Sequence, residues 1–134
     1  MALDGIYLYN LINELKDSLI NSRIDKINQP EKDEIIINVR GKENKKLLIS
    51  SSSKYPRLHF TTISKNNPLH LPVFCMVLRK YLTGGRIIDI YQQSTDRIIS
   101  IDIANKDEMG FDSVYTLVVE IMARHSNICL LYTS

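Results

Sequence analysis

The 134-residue sequence lacks several features that define whole classes of protein. No run approaches about 18 consecutive apolar residues, so no membrane-spanning helix is predicted. The first five residues carry an acid and no basic region, which argues against a secretion signal. The chain has only two cysteines, Cys75 and Cys129, and both lie in apolar runs, so we predict two buried, reduced thiols and no disulfide. These absences favour a cytoplasmic protein without membrane contact.

The motifs of common enzymes are also missing. The chain has no phosphate-binding glycine loop and no nucleophile elbow. Its histidines (His59, His70 and His125) and its cysteines do not have the spacing of metal ligands. We therefore expect no cofactor, no metal and no enzymatic activity, although the pattern leaves room for an active site without a signature.

The charges are unevenly distributed along the chain. The net charge is +2, yet residues 35–86 hold ten basic residues and one acid, Glu43, a local excess of +9. Such segregation favours a polyanion as partner, and nucleic acid is the commonest one. Because so many cations cannot be buried unpaired, we predict large solvent exposure for a representative five. They are Lys42, Lys45, Lys46, Arg57 and Arg79.

Apolar periodicity predicts an α+β domain. Helical spacing from Gly5 to near Asn21 indicates one amphipathic helix, and a second runs from Pro72 to the pair Gly84–Gly85. About seven strands follow from alternating or apolar runs, the clearest at 34–40 and 97–104. Long antiparallel connections with two main helices predict β-sandwich-like antiparallel sheets packed face to face.

The predicted fold is centred on the stretch 115–132. Its two apolar runs are separated by five polar or small residues, the pattern of a hairpin. Glu120 lies inside the first run and needs solvent or a partner. Arg124 and His125 put two hydrogen-bond donors at the hairpin end. On the residues alone, a merely charged hairpin end is favoured over a binding site.

Four local patterns together resemble a known family. They are Met1-x-x-Asp-Gly5, the helix Pro72-x-x-Cys-Met-x-Leu-Arg-Lys-Tyr-Leu82, the turn Asp96-Arg97-Ile98, and Glu120-Ile121-Met122-x-Arg124-His125-Ser126-Asn127. In order and spacing they resemble the N-terminal domain of the NFACT family, whose bacterial members are called fibronectin-binding-protein-A-like proteins or RqcH. Two positions depart from the family pattern, since Ala2 and Ala123 stand where proline and glycine are frequent.

The resemblance implies both a fold and a function. The implied fold is that of the N-terminal domain of formamidopyrimidine-DNA glycosylases, without their chemistry, because the catalytic proline and glutamate are absent. The implied function is recruitment of alanyl-tRNA to a stalled large ribosomal subunit carrying peptidyl-tRNA, for C-terminal alanine tailing. The implied tRNA-binding residues are Asp96, Arg97, Arg124 and His125, supported by Glu120, Ile121, Met122, Ser126 and Asn127.

Two alternatives stay open on the sequence. The family's fibronectin-binding name suggests an adhesin-type protein-interaction module. Without the family, Asp96 and Arg97 would be a surface turn with an incidental ion pair. The resemblance further implies that residues 1–134 are one NFACT N-terminal domain, C-terminally truncated within a longer protein.

Overall fold

A computed structural model describes residues 5–51, 57–93, 98–120 and 127–133. These segments contain two helices and eight strands. In chain order they are α1 (Gly5–Leu19), β1 (Arg23–Glu31), β2 (Glu34–Arg40), β3 (Asn44–Ser50), β4 (Arg57–Thr61), α2 (Val73–Leu82), β5 (Arg86–Gln93), β6 (Ile98–Lys106), β7 (Asp112–Glu120) and β8 (Asn127–Thr133).

The strands form one antiparallel sheet in the order β4-β3-β2-β1-β5-β6-β7-β8. Its two four-stranded halves are joined at the centre by a single register pair, Arg23 with Arg86. Each of these residues is the first of its strand, and the strands are antiparallel, so β1 and β5 leave the junction in opposite directions. The strands that the sequence assigned to sheets packed face to face thus form one sheet, and we call the junction of its two halves the corner.

A glycine pair fixes this corner. Gly84 ends α2 with a φ of +82°, a left-handed conformation that glycine adopts without strain. Its backbone N–H donates to the Ile24 carbonyl at 2.8 Å, and the Ile24 N–H donates to the Gly85 carbonyl at 2.8 Å. A Cβ on Gly85 would lie only 2.7 Å from Cγ2 of Ile103. The pair thus lets the end of α2 approach both β1 and β6.

One face of the sheet carries the core. In β6 and β7 the alternate residues Ile99, Ile101, Leu117 and Val119 are all buried, as the two-residue period of a strand requires. They form a single cluster with residues of both helices and of the other half-sheet. Each half therefore stabilises the other through a shared core.

Most elements lie where the sequence predicts them, with three differences. Eight strands are present in the described residues where about seven were predicted, and β7 begins at Asp112, ahead of the stretch 115–132. Strand β1 continues through Pro30, although a proline within a run usually indicates the end of a strand. The proline is tolerated because the register with β2 shifts between Asn28 and Glu31, so no ladder N–H is needed there.

The two thiols differ in their surroundings. Neither cysteine is in a disulfide, and Cys75 is buried in α2 against β1, as predicted. Burial raises the pKa of the Cys75 thiol, and nearby Arg79 opposes that shift. Cys129 is half-buried, so the prediction of a fully buried thiol was wrong there. It pairs with Val118 on the sheet face opposite the core, whereas its neighbours Ile128 and Leu130 pack on the core.

Candidate nucleic-acid interface

Two of the four family motifs are Asp96–Ile98 and Glu120–Asn127. The strand register brings residues at or near their ends into one row. Gln93, the last residue of β5, pairs with Ile98, the first of β6. Ile98 pairs with Glu120, the last residue of β7, and Glu120 pairs with Asn127, the first of β8. We call these four residues the motif row. Neighbouring strands lie about 4.8 Å apart, so the row spans about 15 Å at one end of its half-sheet.

Most of the predicted site residues lie between members of this row. Asp96 and Arg97 belong to residues 94–97, and Ile121, Met122, Arg124, His125 and Ser126 belong to 121–126; both segments lie outside the described residues. The row nevertheless constrains their attachment. Arg97 is covalently joined to Ile98, and Ile121 to Glu120, and these two anchors are direct cross-strand partners. Such partners have Cα atoms about 4.5–5.5 Å apart.

Glu120 has the environment that its sequence context requires. Its neighbour Val119 is fully buried and pairs with Ile99, so the core row stops one residue short of the motif row. The alternation directs the Glu120 side chain to the opposite sheet face, where the residue is half-buried. A carboxylate at the end of a fully paired strand is well oriented, which agrees with either a charged hairpin end or a binding site.

The basic residues of the span 35–86 do not form one exposed patch. Lys42 and Arg57 are exposed as predicted, but they lie at opposite ends of the first half-sheet. Strand β2, which separates those ends, has seven residues and is about 20 Å long. Lys45 and Lys46 are half-buried and, as neighbours on β3, point to opposite faces. Arg79 is half-buried as well, so the prediction of five largely exposed cations was wrong for Lys45, Lys46 and Arg79.

Several of these cations have partners inside the domain. Glu34 is almost fully buried, and its carboxylate is 2.8 Å from Nζ of Lys65 and 3.6 Å from a guanidinium nitrogen of Arg57. Arg40 pairs with Asp25 on the neighbouring strand. Part of the positive charge that is in excess along the sequence thus neutralises acidic residues of the same domain. The excess is therefore weaker support for a polyanionic partner than the sequence indicated.

The family motif on α2 has a structural role that the sequence reading missed. Cys75, Leu78 and Leu82 of this helix are buried. Arg79 Nε donates to the Ile27 carbonyl at 2.6 Å, on the side of β1 from which β5 has diverged. The guanidinium therefore takes the place of a missing strand neighbour. Spacing alone could not reveal this, because the free carbonyl exists only after β1 and β5 separate.

Within the described part of the chain, no three His, Cys, Asp or Glu side chains are grouped closely enough to hold a metal ion. Also within that part, neither helix is long and apolar enough to cross a membrane.

Comparison with known families identifies the class of protein. A family model described as the NFACT N-terminal and middle domains matches residues 4–134. The chain belongs to the NFACT family. It is 44% identical over 131 residues to the "Rqc2 homolog RqcH" of Bacillus subtilis (strain 168), covering 97% of this chain and 23% of that relative. The chain thus spans about a quarter of the length of that curated relative.

Solved structures agree in fold. The N-terminal part of the fibronectin/fibrinogen-binding protein from Streptococcus suis is 42% identical, with a TM-score of 0.94 over 99% of this chain and 50% of that one. The N-terminal domain of fibronectin-binding protein PavA from Streptococcus pneumoniae is 41% identical, with a TM-score of 0.93 over 98% of this chain and 50% of that one.

Proposed function

We propose that this domain is a tRNA-binding module of a ribosome-associated quality-control factor. The observation that carries the proposal is the motif row, which anchors the Asp96–Arg97 segment and the Arg124–His125 segment on adjacent, directly paired strands. Two segments rich in hydrogen-bonding side chains, attached to the same end of one rigid half-sheet, are suited to bind a single ligand.

Each proposed contact has a defined chemical role. Arg97 contacts an RNA phosphate or a base edge, and Asp96 orients that guanidinium or accepts from a base amino group. Arg124 and His125 supply further donors from the neighbouring hairpin. Glu120, Ile121, Met122, Ser126 and Asn127 support these contacts by holding the hairpin end in place.

The family relationship supports a specific task for the whole protein. The relative's name, a homolog of Rqc2 called RqcH, supports a role in ribosome quality control. We infer that the protein works in the cytoplasm on a large ribosomal subunit carrying peptidyl-tRNA. There it contacts rRNA and recruits alanyl-tRNA for C-terminal alanine tailing. The domain's role is binding and not catalysis, so its likeness in fold to glycosylase domains, itself still a prediction, brings no base-excision chemistry.

A second candidate function is binding of fibronectin. The two solved relatives are described as fibronectin-binding or fibronectin/fibrinogen-binding proteins, which favours this alternative specifically. It requires a protein-interaction surface instead of an RNA-binding edge, and the two functions therefore differ in their dependence on salt.

A binding series at several salt concentrations separates these functions. Fluorescently labelled tRNA, a DNA duplex of equal charge and fibronectin are titrated with the chain at about 50, 100 and 200 mM salt. We expect tRNA to bind tightest and to weaken steeply with salt, because cations released from phosphates drive such binding. Salt-insensitive binding of fibronectin, with no preference for tRNA over duplex DNA, would favour the alternative.

A further inference from the structure

A separate cavity lies at the opposite end of β7 from the motif row. Its volume is about 630 Å³, within the range of roughly 300–1,000 Å³ typical of small-molecule sites. Tyr115, the residue of β7 that lines the cavity, precedes Glu120 of the motif row by five residues, or about 17 Å along the strand. The cavity is lined by Phe74, Val77, Tyr81, Asp107, Glu108, Met109, Tyr115, Leu130 and Tyr132. The cavity is therefore distinct from the proposed RNA contacts.

The walls of the cavity are aromatic. The ring centroids of Tyr81 and Tyr115 are 5.4 Å apart, and those of Tyr115 and Tyr132 are 5.1 Å apart, both pairs tilted. Tyr115 is buried, and burial raises the pKa of its phenol, so its ring stays neutral at physiological pH. Met109 is 81% exposed at the mouth. Three connected tyrosine rings present π faces, which attract organic cations.

Two carboxylates add negative charge to these rings. Backbone N–H groups of Phe111 and Met109 each donate to Asp107 at 2.9 Å, and Tyr132 Oη donates at 3.2 Å. These bonds, the one from Phe111 foremost, lower the pKa of Asp107 and keep it ionised. Among the residues that the structure describes, no lysine or arginine lies within ion-pair distance of Asp107. Ser113 Oγ also donates to this carboxylate at 3.4 Å, so both of its oxygens are hydrogen-bonded while its negative charge is not balanced by a described cation.

At the cavity mouth, the ammonium group of Lys80 already contacts a carboxylate and an aromatic ring. Lys80 Nζ is 2.5 Å from the Glu108 carboxylate and 5.3 Å from the centroid of the Tyr81 ring. The Tyr81 hydroxyl also donates to Glu108 at 3.2 Å. An ammonium group thus sits against one carboxylate and one ring, and it neutralises Glu108 while Asp107 remains uncompensated.

We propose that this cavity binds a small organic ammonium ion whose apolar body fills the space between the tyrosine rings. The ammonium group is held by the Asp107 and Glu108 carboxylates, and the apolar body packs on Tyr115, Tyr132 and Phe74. A similar arrangement elsewhere has the wrong charge for this ligand. There Lys45 lies 4.6 Å from the Phe60 ring centroid and pairs with Glu43, but Lys46 makes the surroundings net positive.

Isothermal titration calorimetry of the chain with three isosteres tests the proposal. The probes are 2-phenylethylammonium, neutral 2-phenylethanol and phenylacetate. We expect the ammonium to bind at least about tenfold more tightly than the alcohol, and the carboxylate not to bind, because charge and ring must act together. Equal affinity for the ammonium and the alcohol, or no binding of either, would overturn the proposal.

Variants locate the binding. Glu108→Gln should weaken ammonium binding about three- to tenfold, and Lys80→Gln should strengthen it by a similar factor, because it removes the internal competitor. The matched controls Glu43→Gln and Lys45→Gln alter the corresponding pair at the Phe60 ring and should leave the affinity unchanged. These sites are exposed or half-exposed, so folding should survive, which circular dichroism checks. Binding insensitive to Glu108 and Lys80, or equally sensitive to Glu43 and Lys45, would refute this location.

Discussion

Replacing Arg79 with methionine tests whether this residue is a structural element or a free cation. Methionine keeps the apolar stem of the side chain and removes the guanidinium. In the domain, the guanidinium donates to the Ile27 carbonyl at 2.6 Å and to Asn28 Oδ1 at 3.1 Å. Without it, the partner that the described residues leave to that carbonyl on the α2 side is the distant Cys75 Sγ, at 3.7 Å.

The expected cost follows from these contacts. A hydrogen bond to a charged group contributes about 1.5–3 kcal/mol. Asn28 keeps a bond from Asn67 Nδ2, so the loss is dominated by the Ile27 carbonyl. We expect Arg79→Met to lower the free energy of unfolding by about 2 kcal/mol, equivalent to a fall in Tm of about 8 °C for a domain of this size.

Urea denaturation measures this change, and Lys80→Met is the matched control. Lys80 is the next residue of α2, and its ion pair with Glu108 is exposed on both sides, so its loss should leave the free energy of unfolding nearly unchanged. The folded Arg79→Met protein should bind tRNA as well as the parent chain. A loss no larger than that of Lys80→Met, or selective loss of tRNA binding, would refute the structural assignment.

Two further predictions concern the thiols and the corner. In the Cys129→Ser variant, the remaining Cys75 should react with a bulky disulfide reagent only at the rate of unfolding, because burial raises its pKa and blocks access; fast labelling of the native protein near pH 8 would contradict this. Gly85→Ala should lower the free energy of unfolding by about 1–3 kcal/mol, because its Cβ would press on Ile103; unchanged thermal stability would show that the corner relaxes freely.

Local sequence chemistry predicts much of this fold. The helical spacing of apolar residues in α1, the proline and glycines around α2, and the alternation of β6 each report on a few neighbouring residues. Burial of alternate residues is also a local pattern, so Leu117 and Val119 could be assigned to the core in advance. The hairpin of β7 and β8 follows from the same signals.

Features that depend on register could not be predicted this way. The pairing of Glu34 with Lys65 joins residues far apart in the sequence, so surplus charge could not be distinguished from neutralised charge. The cavity walls likewise join α2 to β8 and to the turn after β6, as the neighbouring rings of Tyr81, Tyr115 and Tyr132 illustrate. The anchoring of both family motifs in one row also required the strand order, because sequence spacing does not specify which strands are neighbours.

The proposed tRNA-binding role is tested most directly by measuring tRNA binding of the double variant Asp96→Ala, Arg97→Ala. Its matched control is Asp25→Ala, Arg40→Ala, which removes an exposed Asp–Arg pair from the other half-sheet. We predict that the first variant keeps its Tm within about 2 °C and loses at least about tenfold in tRNA affinity, with a shallower salt dependence. The control should bind tRNA like the parent chain. Undiminished tRNA binding by the Asp96, Arg97 variant, or an equal loss in both variants, would contradict a tRNA-binding role for Asp96 and Arg97.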